Sequence, residues 1–283
     1  MYESFFELRE PPFALTPDPR FLWPSETHQE GLSGLVYGIT RRKGFLLLTG
    51  EVGAGKTTLL RAALDQLPPQ TEVALVMNTA GLVPLDLFKL IATELRIGER
   101  PQSKVDYVIA LNQYLLERLR SGQNTVLIID EAQNLDAALL EEVRLLSNLE
   151  TDTEKLIQIV LTGQPELKEK LSTRDLRQLR QRIAVEHHVQ ALGPTEVAPF
   201  LAHRLAVAGG NYADVFGRGV EPIFYAFSRG IPRLMCLLAD RVMLSAFAKQ
   251  LRPIPPALVE AKAKEMEATM LPTDETLAAG SQR

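Results

Sequence analysis

The run Gly50-Glu51-Val52-Gly53-Ala54-Gly55-Lys56-Thr57 constrains this chain more than any other feature. Its glycines let the backbone curl so that N–H groups point inward around a phosphate chain. A helix starting at the end of such a loop adds the positive end of its dipole. The lysine then reaches the β- and γ-phosphates and the threonine hydroxyl binds Mg²⁺, so G-x-x-x-x-G-K-[ST] reads as a nucleoside triphosphate loop. Thr58 completes the set in the first helical turn. The loop works only between a strand and a helix. The apolar run 45–48 precedes it, and Leu59, Ala63 and Leu67 follow at helical spacing. A chance match in a chain this long is of order one in a hundred on average composition.

Further short apolar runs lie at 73–77, 125–129, 157–161 and 184–189. Between them stand helix-spaced sets, Leu87, Ile91 and Leu95, then Leu135, Leu139, Val143, Leu146 and Leu149. This alternation predicts a parallel sheet covered by helices. Beyond residue 192 the strand signal stops, and helices are expected at 195–208, 220–228, 232–249 and 256–269. Pro232, just after Gly230-Ile231, suits a first helical turn, where its missing N–H is no loss. The expected organisation is an α/β domain over 44–192 and an all-helical domain over 193–270. A proline- and aromatic-rich segment, 1–43, is expected to pack on the α/β core. The small, polar stretch 271–283 is expected to be disordered.

With 283 residues there is material for two cores, and a net charge of −4 argues against coating nucleic acid by bulk electrostatics. One cysteine, Cys236, excludes an internal disulfide framework and fits a reducing compartment; its apolar neighbours predict a buried structural thiol. No run approaches the roughly 20 apolar residues of a membrane-spanning helix, and the first ten residues do not read as a signal peptide. The expectation is a cytoplasmic protein that meets the inner membrane only through partners.

The strand ending Val126-Leu-Ile-Ile129 runs into Asp130-Glu131, which sets both acids at the carboxyl edge of the sheet. Asp130 would hold Mg²⁺, through water, and Glu131 would activate the attacking water. After the run 157–161, Thr162 and Gln164 are equal candidates to stand near the γ-phosphate. Arg174, Arg177, Arg180 and Arg182 form a basic stretch, most of which reads as a solvated helix face. Arg233 opens a lid helix from which it could be aimed at the nucleotide.

Together these motifs, with Gly163-Gln-Pro-Glu-Leu167, Gln181-Arg-Ile183 and Gly230-Ile-Pro-Arg233, resemble an AAA+ ATPase. More closely, Met1-Tyr-Glu-Ser-Phe-Phe6, Pro12-Phe13, Thr16-Pro-Asp-Pro-Arg-Phe21 and Tyr37-Gly-Ile39 resemble the general secretion pathway protein A (ExeA-type) ATPases. Their pilus-biogenesis and exosortase/exopolysaccharide-associated relatives share the pattern. The resemblance covers about residues 1–268. It implies a five-stranded sheet of order 5-1-4-3-2, a helical lid, ATP at their junction and a ring or similar homo-oligomer. It also implies Gln164 as sensor 1, Arg182 as arginine finger, Arg233 as sensor 2, and a segment near Phe21 and Tyr37 flanking the adenine. Larger members continue into a membrane span and a cell-wall-binding module that these residues do not include, which points to the shorter relatives. The partner would be a protein of a secretion, pilus or polysaccharide export system. DNA is the alternative partner, because a transposition-regulator group of similar proteins binds it.

Overall fold

The computed structural model of the protein describes residues 1–77, 79–98 and 101–270; the expected disordered stretch, 271–283, lies outside the described residues. The chain divides into two compact units. One holds Glu26–Val52 and Leu59–Val189; the other holds Met1–Ser25, Gly53–Thr58 and the residues from Gln190 onward.

The first unit is built on five parallel strands: β1 Phe45–Gly50, β2 Thr71–Val76, β3 Asn124–Ile129, β4 Gln158–Gly163 and β5 Ile183–Val189. They lie in the order β2-β3-β4-β1-β5, the expected 5-1-4-3-2 read from the other edge. β1 and β4 are buried along their whole length because helices cover both faces of the sheet. The edge strand β5 alternates, with Ile183, Val185 and His187 half-buried between exposed Ala184, Glu186 and His188. Register levels the strand ends: Thr49 lies beside Gly163, and Ile129 beside Leu161. The carboxyl ends of β1, β3 and β4 therefore share one edge, the usual place for a ligand in such a sheet. Between β2 and β3 run two helices, Pro84–Glu94 and Lys104–Arg120. The second starts at a capping box: the Asp106 amide donates to Ser103 Oγ, 3.3 Å, and the Ser103 amide to Asp106 Oδ2, 3.1 Å.

The second unit packs the helices Val197–Val207, Glu221–Ser228, Pro232–Ala248 and Pro256–Met270 around Leu201, Phe224, Met235, Val242 and Val259. The expected boundary at residue 43 shifts here. Met1–Ser25 belongs with these helices, and the helix Glu26–Thr40 with the sheet. The reason is apolar burial. Tyr2, Phe6, Leu8, Phe13 and Phe21 all enter the core of the helical unit, each worth about 1.5–3 kcal/mol when fully buried. Arg204 fixes the path of this segment, donating to the carbonyls of Pro12, 2.7 Å, and Ala14, 2.9 Å, with its guanidinium 4.8 Å from the Phe21 ring centre.

Candidate functional site

β1 ends on Gly50, the glycine-rich turn follows, and Lys56 opens the helix Lys56–Leu64. This is the strand–loop–helix context that the motif requires. Lys56 is buried at 8% exposure, whereas Thr57 is exposed. Within the helical unit the Arg233 amide donates to the Gly53 carbonyl of the loop, 3.2 Å. Arg233 thus begins its helix, behind Pro232 in the first turn, tied to the loop through its main chain, with its side chain exposed.

In the sheet unit the acids follow β3. Asp130 accepts a hydrogen bond from the Thr162 hydroxyl and another, 3.0 Å, from the Glu131 amide. Glu131 has φ 50° and ψ 42°, a left-handed conformation uncommon outside glycine. That turn starts the short 3₁₀ helix Ala132–Asn134 and sends Gln133 back toward its neighbour. The Gln133 amide donates to Glu131 Oε2, and Gln164 Nε2 donates to the same oxygen, 3.3 Å. The Thr79 hydroxyl holds the Glu131 carbonyl at 3.0 Å. Thr162 and Gln164, open alternatives in sequence, thus separate: Thr162 pairs with Asp130, and Gln164 with Glu131. Gln133 was not anticipated. Its only sequence signal is a polar amide two residues past the second acid.

The four arginines also separate. Arg174, Arg177 and Arg180 are exposed. Arg182 is half-buried and donates to Ser147 Oγ and to Asn148 Oδ1, 2.6 Å, just past the helix Ala137–Leu146. Phe21, expected near an adenine ring, retains only 5% exposure in the core of the helical unit, while Tyr37 is exposed with Lys43 Nζ 5.6 Å from its ring centre. Cys236 is buried as expected, and burial pushes its thiol up to about 11, the behaviour of an unreactive structural cysteine.

A carboxylate such as Asp130 and a hydroxyl such as Thr57 are of the oxygen-donor types that proteins contribute to magnesium when phosphates and water complete its shell. Among the described residues no cluster of three or more His, Cys, Asp or Glu forms an all-protein metal site, and no helix is long and apolar enough to cross a membrane.

A parallel sheet of this order, with a glycine loop after its first strand, paired acids after its third and a run of helices following it in the chain, defines a P-loop protein of the AAA+ class. Residues 39–171 match the family model described as an AAA domain. The chain is 43% identical over 250 residues to general secretion pathway protein A of Aeromonas hydrophila, across 88% of this chain and 45% of that protein. It thus carries an AAA domain and is similar over most of its length to general secretion pathway protein A, and spans just under half the length of that relative. Solved structures agree on the fold. Cdc6p from Pyrobaculum aerophilum superposes with a TM-score of 0.69 at 20% identity, over 92% of this chain and 74% of that one. The Aeropyrum pernix ORC2 protein, in ADPNP–ADP complexes, gives 0.67 at 17% identity, with the same coverage. A mutant of Thermotoga maritima RuvB gives 0.57 at 19% identity, over 86% of this chain and 69% of that one.

Proposed function

We propose that this protein binds Mg·ATP and hydrolyses it as a homo-oligomer, serving as a switch or assembly factor for an envelope secretion, pilus or polysaccharide export system. One observation carries the catalytic part: Glu131 stands just past β3 with its carboxylate held by two amides, in a chain whose β1 ends in the Gly50–Thr57 loop.

In this reading the loop amides and Lys56 take the phosphate oxygens, and the backbone donors need no reorganisation as charge develops. Thr57 and Asp130 would hold the magnesium, which neutralises charge on the phosphates. Glu131 accepts a proton from the attacking water. The water oxygen bonds to the γ-phosphorus as the bond from that phosphorus to the β-γ bridging oxygen breaks, giving ADP and phosphate. Gln164 and Thr162 orient the two acids, and Arg233 answers the γ-phosphate from the lid. Arg182 acts on the nucleotide of a neighbouring subunit. The single buried cysteine and the kinship with general secretion pathway protein A support work in the cytoplasm, at the inner membrane through a partner protein.

Glu131→Gln tests the chemistry. It keeps shape but removes the base, so Mg·ATP binding in calorimetry should persist while turnover drops about 10²-fold or more. Turnover equal to the parent's would remove Glu131 from the mechanism. The same ATP-trapped variant, used as bait in native lysate, tests the biological role, with an export-system component as the expected capture. A salt-sensitive, ATP-dependent gel shift of duplex DNA would favour a DNA-associated role instead.

A further inference from the structure

We propose that Gln133 is a positioning residue that sets Glu131 for its proton transfer and links it to the end of β4. The proposal rests on the reading of Glu131 as the base. Gln133 uses both ends of its side-chain amide: Nε2 donates to Glu131 Oε2, and Oε1 accepts the backbone N–H of Gln164 at 3.2 Å. Because an amide cannot exchange these roles without losing both bonds, its orientation is fixed by the Gln164 main chain. Gln164 also sends its own side-chain amide to Oε2. Both donors therefore reach the same oxygen, Oε2. A carboxylate gripped at one oxygen presents the other, at a fixed angle, to a water.

Three surrounding features serve this arrangement. The left-handed backbone at Glu131 is the turn that brings Gln133 back onto its neighbour, and such conformations persist only where the surroundings hold them. Lys170 provides part of that hold, donating to the carbonyls of Gln133, 2.5 Å, and Leu135, 2.8 Å, and so pinning the turn from the helix Pro165–Leu171. Gly163 leaves the space. A Cβ there would sit 2.6 Å from Gln133 Oε1, where no side chain fits without displacing the amide. The result is a continuous connection from the last residues of β4, through one side chain, to the catalytic carboxylate. A shift of Gln164 is transmitted to Glu131 by two hydrogen-bonded routes.

The test measures steady-state ATP hydrolysis by the full chain with Mg²⁺ present. Gln133→Ala should lower kcat by about 10- to 100-fold, the loss expected when a reacting group is misplaced by around 1 Å, with KM changed less than about threefold. Gln133→Glu, of the same shape, keeps an acceptor for Gln164 N but loses the donor to Glu131. It should be equally slow, and serves if the alanine variant fails to fold. A residue acting through Glu131 has nothing left to position once the base is gone. Gln133→Ala placed in a Glu131→Gln background should therefore lower the residual rate no more than about twofold. Parent-like kcat in Gln133→Glu, or an undiminished loss in the double variant, would overturn the proposal while leaving Glu131 as base. Parent-like turnover in Glu131→Gln, or no turnover by the parent, would overturn both.

Discussion

Replacing Gly230 by alanine should cripple the helical unit without touching a catalytic group. Gly230 has φ +80°, where an L side chain costs about 1–2 kcal/mol. A Cβ built there would lie 1.9 Å from the Leu192 carbonyl oxygen, a backbone atom with no rotamer to change. Leu192 is also tied in place, its amide donating to the Gly230 carbonyl at 2.9 Å. Forcing that pair apart is overpacking of the ordinary kind, about 1–3 kcal/mol. The sum is about 2–5 kcal/mol, against total stabilities of about 5–15 kcal/mol. The chain's one tryptophan, Trp23, packs against the core of this unit, so its fluorescence reports the unit's unfolding. In urea the midpoint should fall by about 1–2.5 M, for a slope of about 2 kcal/mol per molar. Arg233→Ala is the companion. Its side chain is exposed and its bond to Gly53 is made by the main chain, so stability should stay within about 0.5 kcal/mol. Its ATPase rate should fall, separating the arginine from the turn that delivers it. A Gly230→Ala midpoint within about 0.3 M of the parent would refute the steric argument.

Three other outcomes are expected. Lys56→Ala should lose most Mg·ATP affinity in calorimetry while keeping its thermal midpoint, and unchanged affinity would mean the phosphate loop is misassigned. Arg182→Ala should bind ATP but hydrolyse it on the order of 10³-fold more slowly. Mixing it with Lys56→Ala should restore activity through composite interfaces, and a mixture no faster than the sum of its parts, despite confirmed co-assembly, would remove the shared site. Burial depresses the His187 imidazole below its ordinary value, with His188 acting in the same sense and Glu30 opposing. The unfolded chain therefore takes up that proton more readily, so stability is full above about pH 6.5 and falls as pH drops through that value. His187→Gln should flatten this slope in urea midpoints measured from about pH 5 to 8, and an unaltered slope would refute it.

What the sequence made legible follows from how local each signal is. The phosphate loop is contiguous, and its strand and helix lie on either side, so eight residues carried both fold class and chemistry. Strand order came through the family resemblance, because periodicity identifies strands but not neighbours. The capping box at Ser103 and Asp106 is equally local, and marks the helix Lys104–Arg120 that apolar spacing left unassigned. Residues 1–25 were legible as ordered but not as to what they pack on. That choice rests on burial in a core built from residues beyond 190 and on Arg204, about 190 residues away, whose buried guanidinium supplies the carbonyls of Pro12 and Ala14 with donors. Gln133 was illegible for a related reason. Two positions past an acid, an amide ordinarily reads as solvated surface, and it becomes a clamp only because Glu131 adopts a left-handed turn and Gly163 leaves a gap. Both facts belong to tertiary structure. The residue types proposed for catalysis were thus readable from chemistry, whereas the groups proposed to aim them depend on backbone strain and vacant space, which a sequence does not display.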